Sequence, residues 1–167
     1  MGTSMLRESN NGCTMIELAL GLSFLLMLIL GVSDALIAFQ RFQYLSVVSR
    51  ELGNAAFRSC TELSPGTQTE NCLQDAAQRA LELVNGPNGV LQGTEVVVVV
   101  YRWTTTGPAI KGRYSNGSQT TRFAPSDIQN LASYYAQRQT VVTSEVFFQG
   151  ATYSPWFTDN SYEVTIF

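Results

Sequence analysis

Gly12-Cys13-Thr14-Met15-Ile16-Glu17-Leu18 opens an apolar run that reaches Phe39. From Leu18 to Ser33 it contains neither a charge nor a proline. As one helix, Thr14 to Phe39 measures about 39 Å at the standard rise per residue, long enough to cross a bilayer. A segment in lipid must close its own backbone hydrogen bonds, so the run predicts a single α-helix. Glu17 stands one turn into it. An ionised carboxylate there costs up to about 2.5–3.5 kcal/mol at full membrane depth, so the sequence calls for a compensating group.

A compensating group can come from the residues ahead. Met1 to Gly12 is a short hydrophilic segment ending in a small residue after which a protease could cut. A cut after Gly12 frees an ammonium at Cys13, four residues before Glu17, at the end of a helix whose dipole also favours a carboxylate.

A hydrophilic leader, glycine before the cut, glutamate as fifth mature residue and an apolar helix after it resemble the pattern of type IV prepilins and pseudopilins. Within that group, Gly12, Glu17, Ala19, Leu20, Gly31, Asp34 and Phe39 are similar to the N-terminal signature of the TadE-like family, the minor pseudopilins of tight-adherence (Tad or Flp) pilus systems. The chain departs from it at Ser23, where the family usually has proline, at Leu18, where an aromatic is common, and at Cys13 as first mature residue. The resemblance implies cleavage by a prepilin peptidase and a helix left in the bacterial inner membrane, with its N-terminus cytoplasmic and its C-terminal domain periplasmic. It further implies a role in priming or assembling the pilus and in adhesion. The implied partners are other pilin and pseudopilin subunits (TadF-like and Flp-like), the inner-membrane Tad assembly platform and membrane lipid. No cofactor is implied.

Other readings of the leader fit less well. A secretory signal peptide carries its apolar core before the cleavage site, whereas here the core follows it. A lipoprotein reading of Gly12-Cys13 fails for the same reason. An uncleaved signal anchor is the plain alternative. Basic residues near the helix ends, Arg7 before against Arg41 and Arg50 after, point against a cytoplasmic N-terminus; the leader and the cysteines point towards it.

Along the helix, Asp34 falls about 25 Å beyond Glu17, at the expected outer boundary, where its side chain can reach water. Ala19 with Ser23, and Gly31 with Ala35, form small-xxx-small pairs that admit a close helix neighbour. Beyond the span, Phe39, Phe42, Leu45, Val48, Leu52 and Ala55 recur every three or four residues, predicting an amphipathic continuation over 40–58. The chain thus divides into a leader at 1–12, a transmembrane helix at 13–39, that continuation, and a periplasmic α+β domain at 59–167. For this domain the expectation is two short helices and an antiparallel sheet of three to four strands.

Within the domain, Cys60 and Cys72 flank a turn-rich segment, and a disulfide across it would stabilise by about 3 kcal/mol in an oxidising compartment. A second helix is expected from about Asn71, with Gln74 in a capping box and Leu73, Ala76, Ala77, Ala80, Leu81 and Val84 on its apolar face, stopped at Asn85-Gly86-Pro87. Glu95 to Trp103 is a valine-rich strand apolar on both faces, hence covered on both. Thr104 to Ala124 reads as loop, with Asn116-Gly117 as a possible hairpin turn. Pro125-Ser126-Asp127 opens a short helix capped by Ser126 and Gln129, with Ile128, Leu131 and Tyr135 on one face. Strands are expected at 140–148 and 161–167.

Composition narrows the function. The chain has 167 residues, no histidine and a net charge of −3. Without a basic stripe to neutralise phosphates, a nucleic-acid partner is not expected. With three cysteines and no histidine, neither is a closed zinc site. As an enzyme, the chain would have to use the acids Asp127, Glu145, Asp159 and Glu163, and no nucleophile or phosphate-loop motif accompanies them; catalysis is not expected. As a signal-anchored periplasmic binding module, it would use Trp103, Tyr114, Phe147, Phe148, Tyr153, Trp156 and Phe157. A pseudopilin of the type II secretion kind is a further alternative.

Overall fold

The computed structural model describes residues 5–85, 91–131, 139–150 and 159–167, with side chains from Thr14 on and without those of residues 85, 159 and 160. The chain is α+β: a long helix α1 (Met5–Cys60), a second helix α2 (Thr67–Asn85), strands β1 (Glu95–Thr104) and β2 (Gly107–Ser115), a short helix α3 (Pro125–Asn130), and strands β3 (Thr140–Gly150) and β4 (Asp159–Ile166). All pairings are antiparallel, in the order β2-β1-β3-β4.

The 56 residues of α1 span about 84 Å. The helix does not begin at the apolar run but already at Met5. From Thr14 to Ser33 its residues are exposed, apart from a half-covered Gly31, and this stretch is apolar and long enough to cross a membrane. Past Phe39 the buried stripe is Leu45, Val48, Ser49, Leu52, Gly53, Ala56 and Cys60. The sequence set the period correctly but erred at its edges: Phe39, Phe42 and Ala55 lie on the open side. Asp34, expected to reach water at a boundary, is 6% exposed and has an interaction partner.

At the end of α1 the Thr61 hydroxyl donates back to the Phe57 carbonyl at 2.7 Å, and the chain turns through Gly66 at φ +98°. Helix α2 begins at Thr67, four residues earlier than the capping-box signal placed it. The Glu70 amide already bonds the Gly66 carbonyl, and the Thr69 hydroxyl bonds that of Ser64. Cys72 therefore lies in the second turn of a helix rather than at the edge of a loop, bonded to Cys60 with Cα atoms 5.7 Å apart. Leu73, Ala77, Ala80 and Val84 are buried as their spacing predicts. The expected stop at Gly86-Pro87 lies outside the described residues.

Strand β1 is central, and Val96 to Tyr101 are buried on both faces. Val96, Val98 and Val100, with Val142, Val146 and Phe148 of β3, face α1 and α2. Val97, Val99 and Tyr101, with Val141 and Phe147, face the other way, under Ile128 of α3 and Phe123. The region expected as loop after Thr104 holds β2. The hairpin turn is Thr105-Thr106, with Gly107 at φ +119°. Asn116 is not in the hairpin turn but in a bend just past β2, where its Oδ1 accepts from the Val96 amide at 2.6 Å and its Nδ2 donates to the Thr94 carbonyl. The N-cap position of α3 is Ala124, not Ser126, and the carboxylate of Asp127 in the first turn reaches back to accept from the Ala124 amide at 2.8 Å. Tyr135 lies outside the described residues.

Candidate functional site

Gly12 and Cys13 lie within α1, and Glu17 follows one turn later, about 6 Å along the axis and on the same helix face as Cys13. Its surroundings are exposed apolar side chains, Met15, Ile16, Leu18 and Leu20 among them. Among the described residues Glu17 has no partner. In a bilayer, an acid on an apolar rod sets a position along that rod, because sliding it deeper raises its cost.

The small residues of α1 leave a smooth surface. Around Gly21 and Gly31 nothing but the glycine's own neighbours and adjacent helix backbone lies within 4 Å of where a Cβ would sit. The Ser23 hydroxyl is bonded back to the Ala19 carbonyl at 2.9 Å, which removes a polar group from the helix surface. Ala19, Ser23 and Ala35 are exposed and Gly31 is half covered.

Of the acids considered for catalysis, Glu145 and Glu163 are separated by the sheet. Asp127 lies in the first turn of α3. Asp159 opens β4 rather than sitting in a loop. Glu145 pairs with Val164 and Glu163 with Val146, so the two glutamates point to opposite faces. The aromatics proposed as a recognition surface are divided likewise: Phe147 and Phe148 are buried on opposite faces, and Trp103 and Tyr114 pack into different clusters. Tyr153, Trp156 and Phe157 lie outside the described residues.

Sequence reasoning missed the polar centre around Glu145, which is fully buried in β3. Its carboxylate accepts from the Thr121 hydroxyl at 2.5 Å, from the Arg122 amide at 3.2 and 3.1 Å, and from the Tyr162 hydroxyl at 3.0 Å. The Arg122 guanidinium lies over the rings of Tyr162 and Phe147, 4.1 and 5.3 Å from their centroids. Burial, then the charge and the hydrogen bond of Glu145, push the Tyr162 hydroxyl well above the usual tyrosine range. Tyr101, raised chiefly by burial, donates to the Phe123 carbonyl at 2.7 Å. These bonds strap residues 121–123 across the second face of the sheet. The signal was available: Glu145 is the one charged residue of β3.

Described residues include no group of three or more histidine, cysteine or carboxylate side chains able to hold a metal. The fold defines the chain as an apolar helical rod carrying a disulfide-closed α+β head. No family model, curated protein or solved structure matches it significantly.

Proposed function

We propose that this chain is a minor pseudopilin that acts in assembling or priming a Tad-type pilus and in adhesion. The observation that carries the reading is Glu17, an acid without a partner among the described residues, on an exposed apolar helix one turn after Gly12-Cys13. A prepilin peptidase cuts after Gly12. The new ammonium at Cys13, its own or that of a neighbouring subunit, neutralises the Glu17 carboxylate. Burial of that pair in lipid sets the register between subunits, because an uncompensated charge there is costly. The head stands on the periplasmic side of the inner membrane, where the Cys60–Cys72 bond forms and persists. The open side of α1, with Leu36, Phe39 and Val47 exposed, supplies contacts to other pilin-like subunits, and the small pairs at Ala19, Ser23, Gly31 and Ala35 let those helices approach.

The test is the intact mass of the membrane-extracted protein, with and without its peptidase, before and after reduction. The expected result is a chain beginning at Cys13 that gains the mass of two hydrogens on reduction. A chain that keeps Met1 to Gly12 in the presence of the peptidase would sink the proposal and leave a signal-anchored protein.

A further inference from the structure

At the end of the head farthest from the apolar run, a cleft of about 480 Å³ opens between the α1–α2 connection and the ends of β1 and β3, with Arg102, Lys111, Glu62, Ser64, Gln139 and Thr140 in its walls. A second hollow shares Arg102, Lys111 and Pro65 with it. Lys111 reaches the cleft because β2 carries one extra residue there: Val100 pairs with Gly112 and Tyr101 with Ile110, leaving Lys111 as the bulge. A bulge re-aims the side chain it carries. Lys111 is 7% exposed, and its ammonium donates to the Thr61 carbonyl just past the end of α1. That engages one of three ammonium hydrogens. Arg102, exposed on the neighbouring strand, lies close enough to be felt: after burial, its charge is the second cause holding the Lys111 pKa below the usual lysine range, against a smaller opposing pull from Glu62.

Two cations therefore converge on one cleft in a chain whose net charge is −3. Glu62 is the one acid among the described lining residues, so the formal charge is two positive against one negative. The carbonyl end of α1 adds a partial negative charge beside it.

We propose that this cleft binds a carboxylate-bearing ligand, held between the Arg102 guanidinium and the remaining hydrogens of the Lys111 ammonium. A monoanion matches the net charge of the cleft, whereas a phosphate dianion would be under-neutralised and repelled by Glu62. The guanidinium fork fits a carboxylate with two parallel bonds. Ser64, Gln139 and Thr140 offer hydrogen bonds to the rest of the ligand. The carboxylate can belong to an acidic sugar or to the free C-terminus of a polypeptide. The inference does not rest on the pseudopilin reading.

Calorimetric titration of the full chain in detergent micelles tests it. The probes are a hexuronate oligosaccharide and a peptide with a free C-terminus, each beside its uncharged counterpart, the neutral hexose oligosaccharide and the C-terminally amidated peptide. Saturable binding of at least one carboxylate form is expected, and which one binds names the source. Arg102→Gln is expected to weaken it about 10- to 100-fold, as for loss of a charge-assisted hydrogen bond. Glu62→Gln is expected to tighten it, by up to about fivefold, as for removal of one exposed charge. Lys111 also closes the end of α1, so the exposed Arg102 and Glu62 carry the test, with thermal melts checking that both variants fold. Absence of saturable binding up to about 10 mM, equal binding of the neutral counterparts, or unchanged affinity in Arg102→Gln would overturn the proposal.

Discussion

Glu145 shows how one residue can decide where a loop lies. Its carboxylate gathers donors from Thr121, Arg122 and Tyr162, and the bonds bring 121–123 down over Val97, Val99 and Phe147. Glu145→Ala would leave these donors facing a void, and a loss of about 2–4 kcal/mol in chemical denaturation is expected, in the range for breaking a buried polar cluster on one side. Tyr162 gives the centre a pH dependence of definite sign. Its pKa is raised in the folded head, so the unfolded chain loses this proton first, near pH 10. Stability is unaffected below that pH and falls as pH rises above it. Melting temperatures measured from pH 8 to 11 are expected to drop at the alkaline end, and less steeply in Tyr162→Phe. Residue-level chemistry was legible where it is local, as in the Cys60–Cys72 pairing. It was hidden where partners come from distant sequence: nothing near Glu145 announces Thr121 or Tyr162.

Among the elements, helices and the central strand were readable because their periods repeat over many turns. The valines of β1 and the leucine-alanine face of α2 are buried as expected. Strand β2 was not readable. Gly107, Pro108 and Gly112 read as loop, and an edge strand with a bulge at Lys111 tolerates them because its outer side has no ladder to keep. The boundary of α2 was missed because Gly66 and Thr69, not Asn71, begin it. Two predictions belong here. Replacing Cys60 and Cys72 together by serine is expected to cost about 3 kcal/mol, read as a lower melting temperature that no longer responds to reductant. At Gly53, α1 meets the sheet so closely that a Cβ would fall 2.2 Å from the Phe167 ring and 3.3 Å from the Ser144 Cβ. Gly53→Ala is therefore expected to destabilise the head by about 1–3 kcal/mol through overpacking, measurable by thermal melt.

As a whole, the molecule is one helix with two surroundings. From Thr14 to Ser33 it is largely exposed and apolar; its second half is the ridge against which β3, β4 and α2 are assembled. The division was visible in the sequence as a change from uninterrupted to periodic hydrophobicity. Covering of Asp34 was not, because an acid beside an apolar run looks the same whether water or protein awaits it. At this scale the proposed function predicts that Glu17→Ala is still cleaved after Gly12 but fails to assemble, since the carboxylate is needed only once the ammonium exists. Normal piliation with that variant would count against the pairing of Glu17 with a neighbour's terminus.

The unbroken course of α1 from Met5 to Cys60 has a mechanical side. Between Glu17 and the disulfide there is neither proline nor non-helical residue to act as a joint. A torque or an axial pull on the head is therefore carried along the helix to Glu17 with no joint to absorb it. Under the proposed function the helix acts as a push-rod, and whatever engages the head turns Glu17 or changes its depth.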